Sequence, residues 1–194
     1  MPKTRARKSI GSIYEQEHFV QFYHAESQFL NNLKNFIGAG LKESAPCIVV
    51  ATAKHRGELD AMLAAEGIDT DKAKQDGNYI SLDAAETLAK FMHKGMPNKH
   101  LFMREVGDVL DFASKNGLPI RAFGEMVALL WADDQQAGAV LLESLWNEIA
   151  RDYSFTLFCA YPAYYFAEKA HNEVCRNIGH LHTSIIARNT AIFG

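Results

Sequence analysis

The sequence predicts an α/β domain of three layers, a mostly parallel central sheet with helices on both faces. Three observations carry that expectation. Short strand-like runs alternate with amphipathic stretches of helical spacing from His18 to beyond Pro162. Two of the runs, Cys47–Thr52 (CIVVAT) and Phe155–Ala160 (FTLFCA), are apolar almost without interruption, as strands buried on both faces must be. The intervals between successive runs are long enough to hold a crossover helix, the connection that parallel strands need.

Taken in order, His18–Tyr23 (HFVQFY) is short and aromatic-rich, the composition of a strand. Glu26–Leu41 follows with Phe29, Leu30, Leu33, Phe36, Ile37 and Leu41 on one helical face. Pro46 introduces the second strand, and Arg56–Glu66 reads as a helix stopped by Gly67. The turn signal Asp76-Gly77 precedes a third strand at Asn78–Leu82. Helical stretches Ala84–His93 and Lys99–Lys115 are divided by Gly95, Pro97 and Asn98. Gly117-Leu118-Pro119 punctuates before a fourth strand, Ile120–Phe123, and Val127–Trp131 either continues it or opens a helix. Gln135–Arg151 is amphipathic and helical, Pro162 ends the fifth strand, and a shorter helix is expected over Ala163–His171. Ser184–Ala187 has the character of an edge strand.

Composition narrows the class further. With 194 residues, 48% of them hydrophobic and 22% charged, the chain is long and apolar enough to bury a core without disulfide or metal staples. No repeat or linker divides it, so residues 15–194 are expected to be one domain and residues 1–14 a flexible basic arm bearing Lys3, Arg5, Arg7 and Lys8. A net charge of −3 is too weakly negative to argue for or against most partners, but it does not describe a nucleic-acid-binding surface. No apolar run reaches the ~18–20 residues of a membrane span, and a cytoplasmic location is expected. The three cysteines, Cys47, Cys159 and Cys175, form no CxxC pair and are read as reduced thiols. Cys175, His180 and His182 have the spacing C-x4-H-x-H, which is no standard zinc pattern, so neither a metal nor a cofactor is expected.

Ligands of open α/β sheets sit outside the carboxyl ends of the strands. That rule draws Tyr23, His24 and Glu26 from the first strand, then Thr52, Lys54, His55 and Arg56 from the second. Asp83 comes from the third, Gly124 and Glu125 from the fourth, and Cys159 and Tyr161 from the fifth. The set mixes polar and aromatic side chains, which suits a small molecule. Lys54-His55-Arg56 at a strand-to-helix turn would suit an anion, or serve only as a solvated turn. Glu125 is either a polar anchor for ligand or half of a buried ion pair with Arg121 or another base. No G-x-S-x-G elbow and no phosphate-cradling glycine loop is present.

Several segments together resemble a known family. Gly38–Glu43 (GAGLKE), CIVVAT, Glu66–Ala84, Arg121–Trp131 and Leu141–Pro162 follow the order of KaiC-type, RecA-like ATPases. The place of their phosphate loop is taken by Phe22-Tyr23-His24-Ala25-Glu26-Ser27, without glycine or lysine, and Arg121–Glu125 (RAFGE) lacks an aspartate at the magnesium position. The chain is more similar to a branch without that loop, the MEDS (methanogen/methylotroph, DcmR sensory) domains. The resemblance rests on His18–Tyr23, Arg121–Met126 (RAFGEM), Cys159–Tyr161 and His180 or His182, and covers roughly residues 16–185. It implies a RecA/KaiC-like fold without a P-loop and a non-catalytic sensor of small hydrocarbon derivatives. In that family the domain is usually fused to a kinase or DNA-binding output; this chain shows none, so a histidine kinase or transcription regulator in trans, or a second copy of the chain, is the expected partner. The ligand-binding residues expected on this reading are Tyr23, His24, His55, Arg56, Arg121, Glu125, Cys159 and Tyr161. Two rival readings remain at this stage: a nucleotide binder in which Lys54 or Arg56 replaces the loop lysine, and a ligand-free interaction module.

Overall fold

The computed structural model describes residues 17–166, 178 and 180–186. The basic arm, Cys175 and residues 167–171 of the expected helix lie outside that set, while the start of that helix, Ala163–Phe166, is a 3-10 turn. The core is a six-stranded sheet in the order β3-β2-β6-β7-β1-β8, in which every pairing is parallel. Its strands are β1 (His18–Tyr23), β2 (Cys47–Ala51), β3 (Tyr79–Asp83), β6 (Ile120–Gly124), β7 (Phe155–Pro162) and β8 (Ser184–Ile186). A separate two-stranded hairpin joins β4 (Met92–His93) to β5 (Met96–Pro97). The helices are α1 (Glu26–Lys42), α2 (Ala53–Ala65), α3 (Thr70–Gln75), α4 (Ala84–Phe91), α5 (Lys99–Ala113), α6 (Met126–Ala132) and α7 (Gln136–Ile149).

Alternation along each strand divides the core into two layers. In β7, Phe155, Leu157, Cys159 and Tyr161 face the layer of α4, α5, α6 and α7, while Phe158 and Ala160 face α1 and α2. The leftward connections β1-α1-β2 and β2-α2-α3-β3 thus cover one face, and the rightward connections through α4–α7 cover the other. This is the arrangement that consistently handed crossovers produce. The three-layer α/β expectation is met.

Local chemistry sets the boundaries. Thr52 caps α2 by accepting the N–H of His55, so the helix starts at Ala53, three residues before the apolar pattern alone predicts. Asp83 ends β3 and caps α4, accepting the N–H groups of Ala85 and Glu86. Asn98 caps α5 in the same way through Leu101. The expected helix over Ala84–His93 stops at Phe91, because Lys94 and Gly95 both adopt positive φ and fold the hairpin. Val127–Trp131 opens a helix, beginning at Met126, rather than extending β6. β7 runs two residues past Ala160, since a proline at the very end of a strand forfeits little of the ladder.

Candidate functional site

Three strand ends converge on one side chain. His55, in the first turn of α2, lies between two carboxylates. Its Nδ1 is 2.7 Å from Glu125 Oε1 and its Nε2 is 2.6 Å from Glu26 Oε1. Glu125 follows β6 directly and is fixed from two sides: its own N–H donates to Val50 O at 2.8 Å, and the N–H of Thr52 donates to Oε2 at 2.8 Å. Glu26, the first residue of α1, is exposed and also accepts from Lys54 Nζ at 2.7 and 2.8 Å. Aromatic rings back the polar chain. Phe29 lies 5.2 Å from the His55 ring and stacks on Tyr23 at 4.9 Å.

The electrostatics follow from this geometry. Burial works against a charge on His55, but the hydrogen bonds and charges of Glu125 and Glu26 outweigh it and raise its pKa. Lys54 and then His55 pull the Glu26 carboxyl below the usual range. Tyr23 is half-buried, and burial together with the Glu125 and Glu26 charges holds its phenol protonated. The result is a carboxylate–imidazole–carboxylate bridge with one buried end, Glu125, and one exposed end, Glu26.

Of the residues that the strand-end rule selects, Tyr23, His55 and Glu125 meet here. His24 is exposed on the turn between β1 and α1, and the imidazole that meets Glu26 is that of His55. Arg56 lies to one side, donating from Nε to Ala51 O at 3.2 Å and pairing with Asp83 Oδ2 at 3.0 Å. It also borders an open groove of about 600 Å³ along the β3 edge, with Asp60, Lys74, Tyr79 and Phe112.

Arg121 does not join them. It sits at the amino end of β6, a strand's length (about 13 Å) from Glu125. Only 1% exposed, it donates to Phe36 O at 2.8 Å, pairs with Glu43 at 3.0 Å and covers the Phe36 ring. It braces α1 against the sheet, and Glu125 is paired with His55 instead.

Cys159 and Tyr161 also lie elsewhere. Both point from β7 into the α7 layer, where Tyr161 donates to Glu143 Oε1 at 2.7 Å. His18 Nε2 lies 3.1 Å from Glu143 Oε2 and 3.4 Å from Cys159 Sγ, and the His18 ring packs 4.0 Å from that of His182. His180, by contrast, is exposed. The sequence reading missed Glu143, though a signal was there: it falls on the apolar stripe of α7, with Ala139, Leu142 and Trp146 beside it. Among the described residues, these four ligand-type side chains, His18, Glu143, Cys159 and His182, bring one ligand atom each within 4.8 Å of the others, close enough that they could hold a metal ion.

No described helix is long and apolar enough to cross a membrane. Among curated proteins, none matches the chain. A family model does: residues 17–177 match the MEDS domain, the methanogen/methylotroph, DcmR sensory domain. The match takes in β1, the bridge of Glu26, His55 and Glu125, and all of α7 and β7, so the chain belongs to the MEDS family of sensory domains.

Proposed function

We propose that this sensory domain takes a small organic ligand, a hydrocarbon derivative with a hydrogen-bonding head group, at the carboxyl ends of β1, β2 and β6. The observation that supports it most is the Glu26–His55–Glu125 bridge set against the Tyr23 and Phe29 rings. A hydroxyl takes the place of Glu26 on His55 Nε2, and the ligand's alkyl part lies on the rings. Glu125 cannot follow, because the Thr52 N–H holds it. The displaced Glu26 leaves with the first turn of α1, and that is the change a partner reads.

Binding without turnover is the accompanying proposal. Glu125 favours the protonated form of His55, so Nε2 donates to the bound head group rather than drawing a proton from it. Lys54 and Arg56 each already hold a carboxylate, which favours an uncharged ligand over a nucleotide's phosphates. The output is read in the cytoplasm by a histidine kinase or transcription regulator in trans, or by a second copy of the chain.

A thermal-shift screen of short-chain and one-carbon alcohols, amines and carboxylates, with nucleotides as comparison, tests this. Binding to the native state alone raises stability by RT ln(1 + [L]/Kd), about 2.7 kcal/mol at a hundredfold excess over Kd. The expected result is a shift with an uncharged organic that is lost in Glu125→Gln and reduced in Tyr23→Phe. A shift with nucleotides, lost in Lys54→Ala, would replace this reading with a nucleotide binder. No shift with any compound would leave an interaction module.

A further inference from the structure

We propose that His18, Glu143, Cys159 and His182 form a binding site for one divalent late first-row transition ion, zinc foremost. The four residues come from β1, α7, β7 and the segment just before β8, and one ligand atom from each lies within 4.8 Å of all the others. All four side chains are buried, those of Glu143 and His182 completely.

The hydrogen bonds around the cluster determine which atoms face its centre. His182 Nδ1 lies 2.6 Å from Ile178 O, a carbonyl that can only accept, so Nδ1 carries the hydrogen and Nε2 the lone pair. His18 Nδ1 lies 2.9 Å from Asn147 Oδ1, and the Asn147 amide is oriented by donating its N–H to Leu181 O at 2.7 Å. His18 therefore also turns a bare Nε2 inward. Both lone pairs face the Glu143 carboxylate, at 3.1 Å from His18 and 3.5 Å from His182. His182 Nε2 has no hydrogen-bond partner at all, although it is fully buried.

Acceptors facing acceptors in a dry site require positive charge between them. Protonating both imidazoles would place two cations in rings 4.0 Å apart, and a proton on His18 alone would leave the buried His182 Nε2 lone pair without a donor. A metal ion supplies the charge at one point instead. Ligand bonds of ~2.0–2.3 Å in a tetrahedron put the ligand atoms ~3.3–3.7 Å apart. Here Glu143 Oε2 lies 3.1 Å from His18 Nε2 and 3.8 Å from Cys159 Sγ, and these two are 3.4 Å apart. His182 Nε2 lies 3.5 Å from the other Glu143 oxygen. The four ligand atoms fall within 4.8 Å of one another, so a small inward shift closes the tetrahedron. Two imidazoles, a thiolate and a carboxylate are ligands for zinc and its neighbours rather than for magnesium or calcium. On binding, the Cys159 thiol gives its proton to solvent; with Glu143 ionised and both imidazoles neutral, the filled site carries no net charge. Tyr161, Asn147 and the Ile178 carbonyl orient the ligands from outside, as such sites require.

Four protein ligands leave no open position, so the site is structural and bolts the segment that carries β8 onto β1 and α7. It shares no residue with the strand-end bridge, and the two proposals stand or fall separately.

The test uses the full, untagged chain, freed of metal with a chelator and titrated with cobalt(II). The expected result is one ion per chain, with the visible bands of tetrahedral cobalt and a thiolate-to-cobalt charge-transfer band. Cys159→Ser should abolish the charge-transfer band. His182→Gln should weaken binding by more than the ~10–100-fold that losing an outer partner costs. His180→Gln, altering an exposed neighbour, should change neither. Zinc should raise the melting temperature of the wild type in a concentration-dependent way, which is read without any variant having to fold. Folded wild type that takes up no stoichiometric cobalt, or a thiolate band that survives in Cys159→Ser, would overturn the proposal.

Discussion

His55 has a proton affinity that the fold changes, and this makes its contribution to stability depend on pH. Its folded-state pKa is raised, so its stabilising effect is fully present below the unfolded value of ~6.5 and is lost as pH rises through the folded value. The groups facing it are Glu125, Glu26, Lys54 and the Tyr23 phenol. The stability difference between wild type and His55→Gln should be about 1–3 kcal/mol at about pH 5, as for a charge-assisted hydrogen bond, and shrink toward about pH 9. The difference between the two proteins is what must be read from denaturation, because burial shifts His182 the opposite way. A difference that does not vary with pH would contradict the bridge. Tyr23, His55 and Glu125 were legible in the sequence because each stands at or just beyond the end of a strand, where chain order alone predicts convergence. Arg121 was misplaced for the complementary reason: it is the second residue of its strand, and the register puts it at the far end of the sheet.

At the level of elements, the close approach of α1 to the sheet depends on a residue without a side chain. A Cβ at Gly40 would sit 2.6 Å from Cys47 Sγ and 2.7 Å from Arg121 Cδ, both buried. Neither can withdraw cheaply, since Cys47 is enclosed and Arg121 is tied to Phe36 and Glu43. Gly40→Ala should therefore destabilise by about 1–3 kcal/mol in urea denaturation, despite alanine's better helix propensity. A gain in stability would show that α1 is free to move. The long elements were readable because their apolar faces repeat over several turns. α3 escaped notice because Thr70–Gln75 is short, polar and held by the Asp69 cap rather than by an apolar face. The β4–β5 hairpin escaped because its turn is Lys94-Gly95, with a lysine where asparagine or aspartate would announce it.

Across the whole molecule, the fold keeps the two polar clusters of the described residues apart. The strand-end bridge lies on the α1/α2 side, and the His18–Glu143 cluster lies beneath α7 on the other. Cys159 and Tyr161 fall in the second because alternate residues of β7 face one layer. Sequence gives that alternation but not which layer receives it, which depends on strand order. The meeting of His18 with Glu143 depends on β1 lying beside β7, a pairing between segments at opposite ends of the chain.

The central claim, that a ligand replaces Glu26 on His55, is tested most directly by histidine-selective NMR of the imidazole nitrogens during titration with a compound that stabilises the protein. The account predicts a large change at His55 Nε2, with the resonances of His18 and His182 unmoved. Saturable binding that leaves His55 unchanged would contradict it, and would place the sensor's ligand elsewhere in the fold.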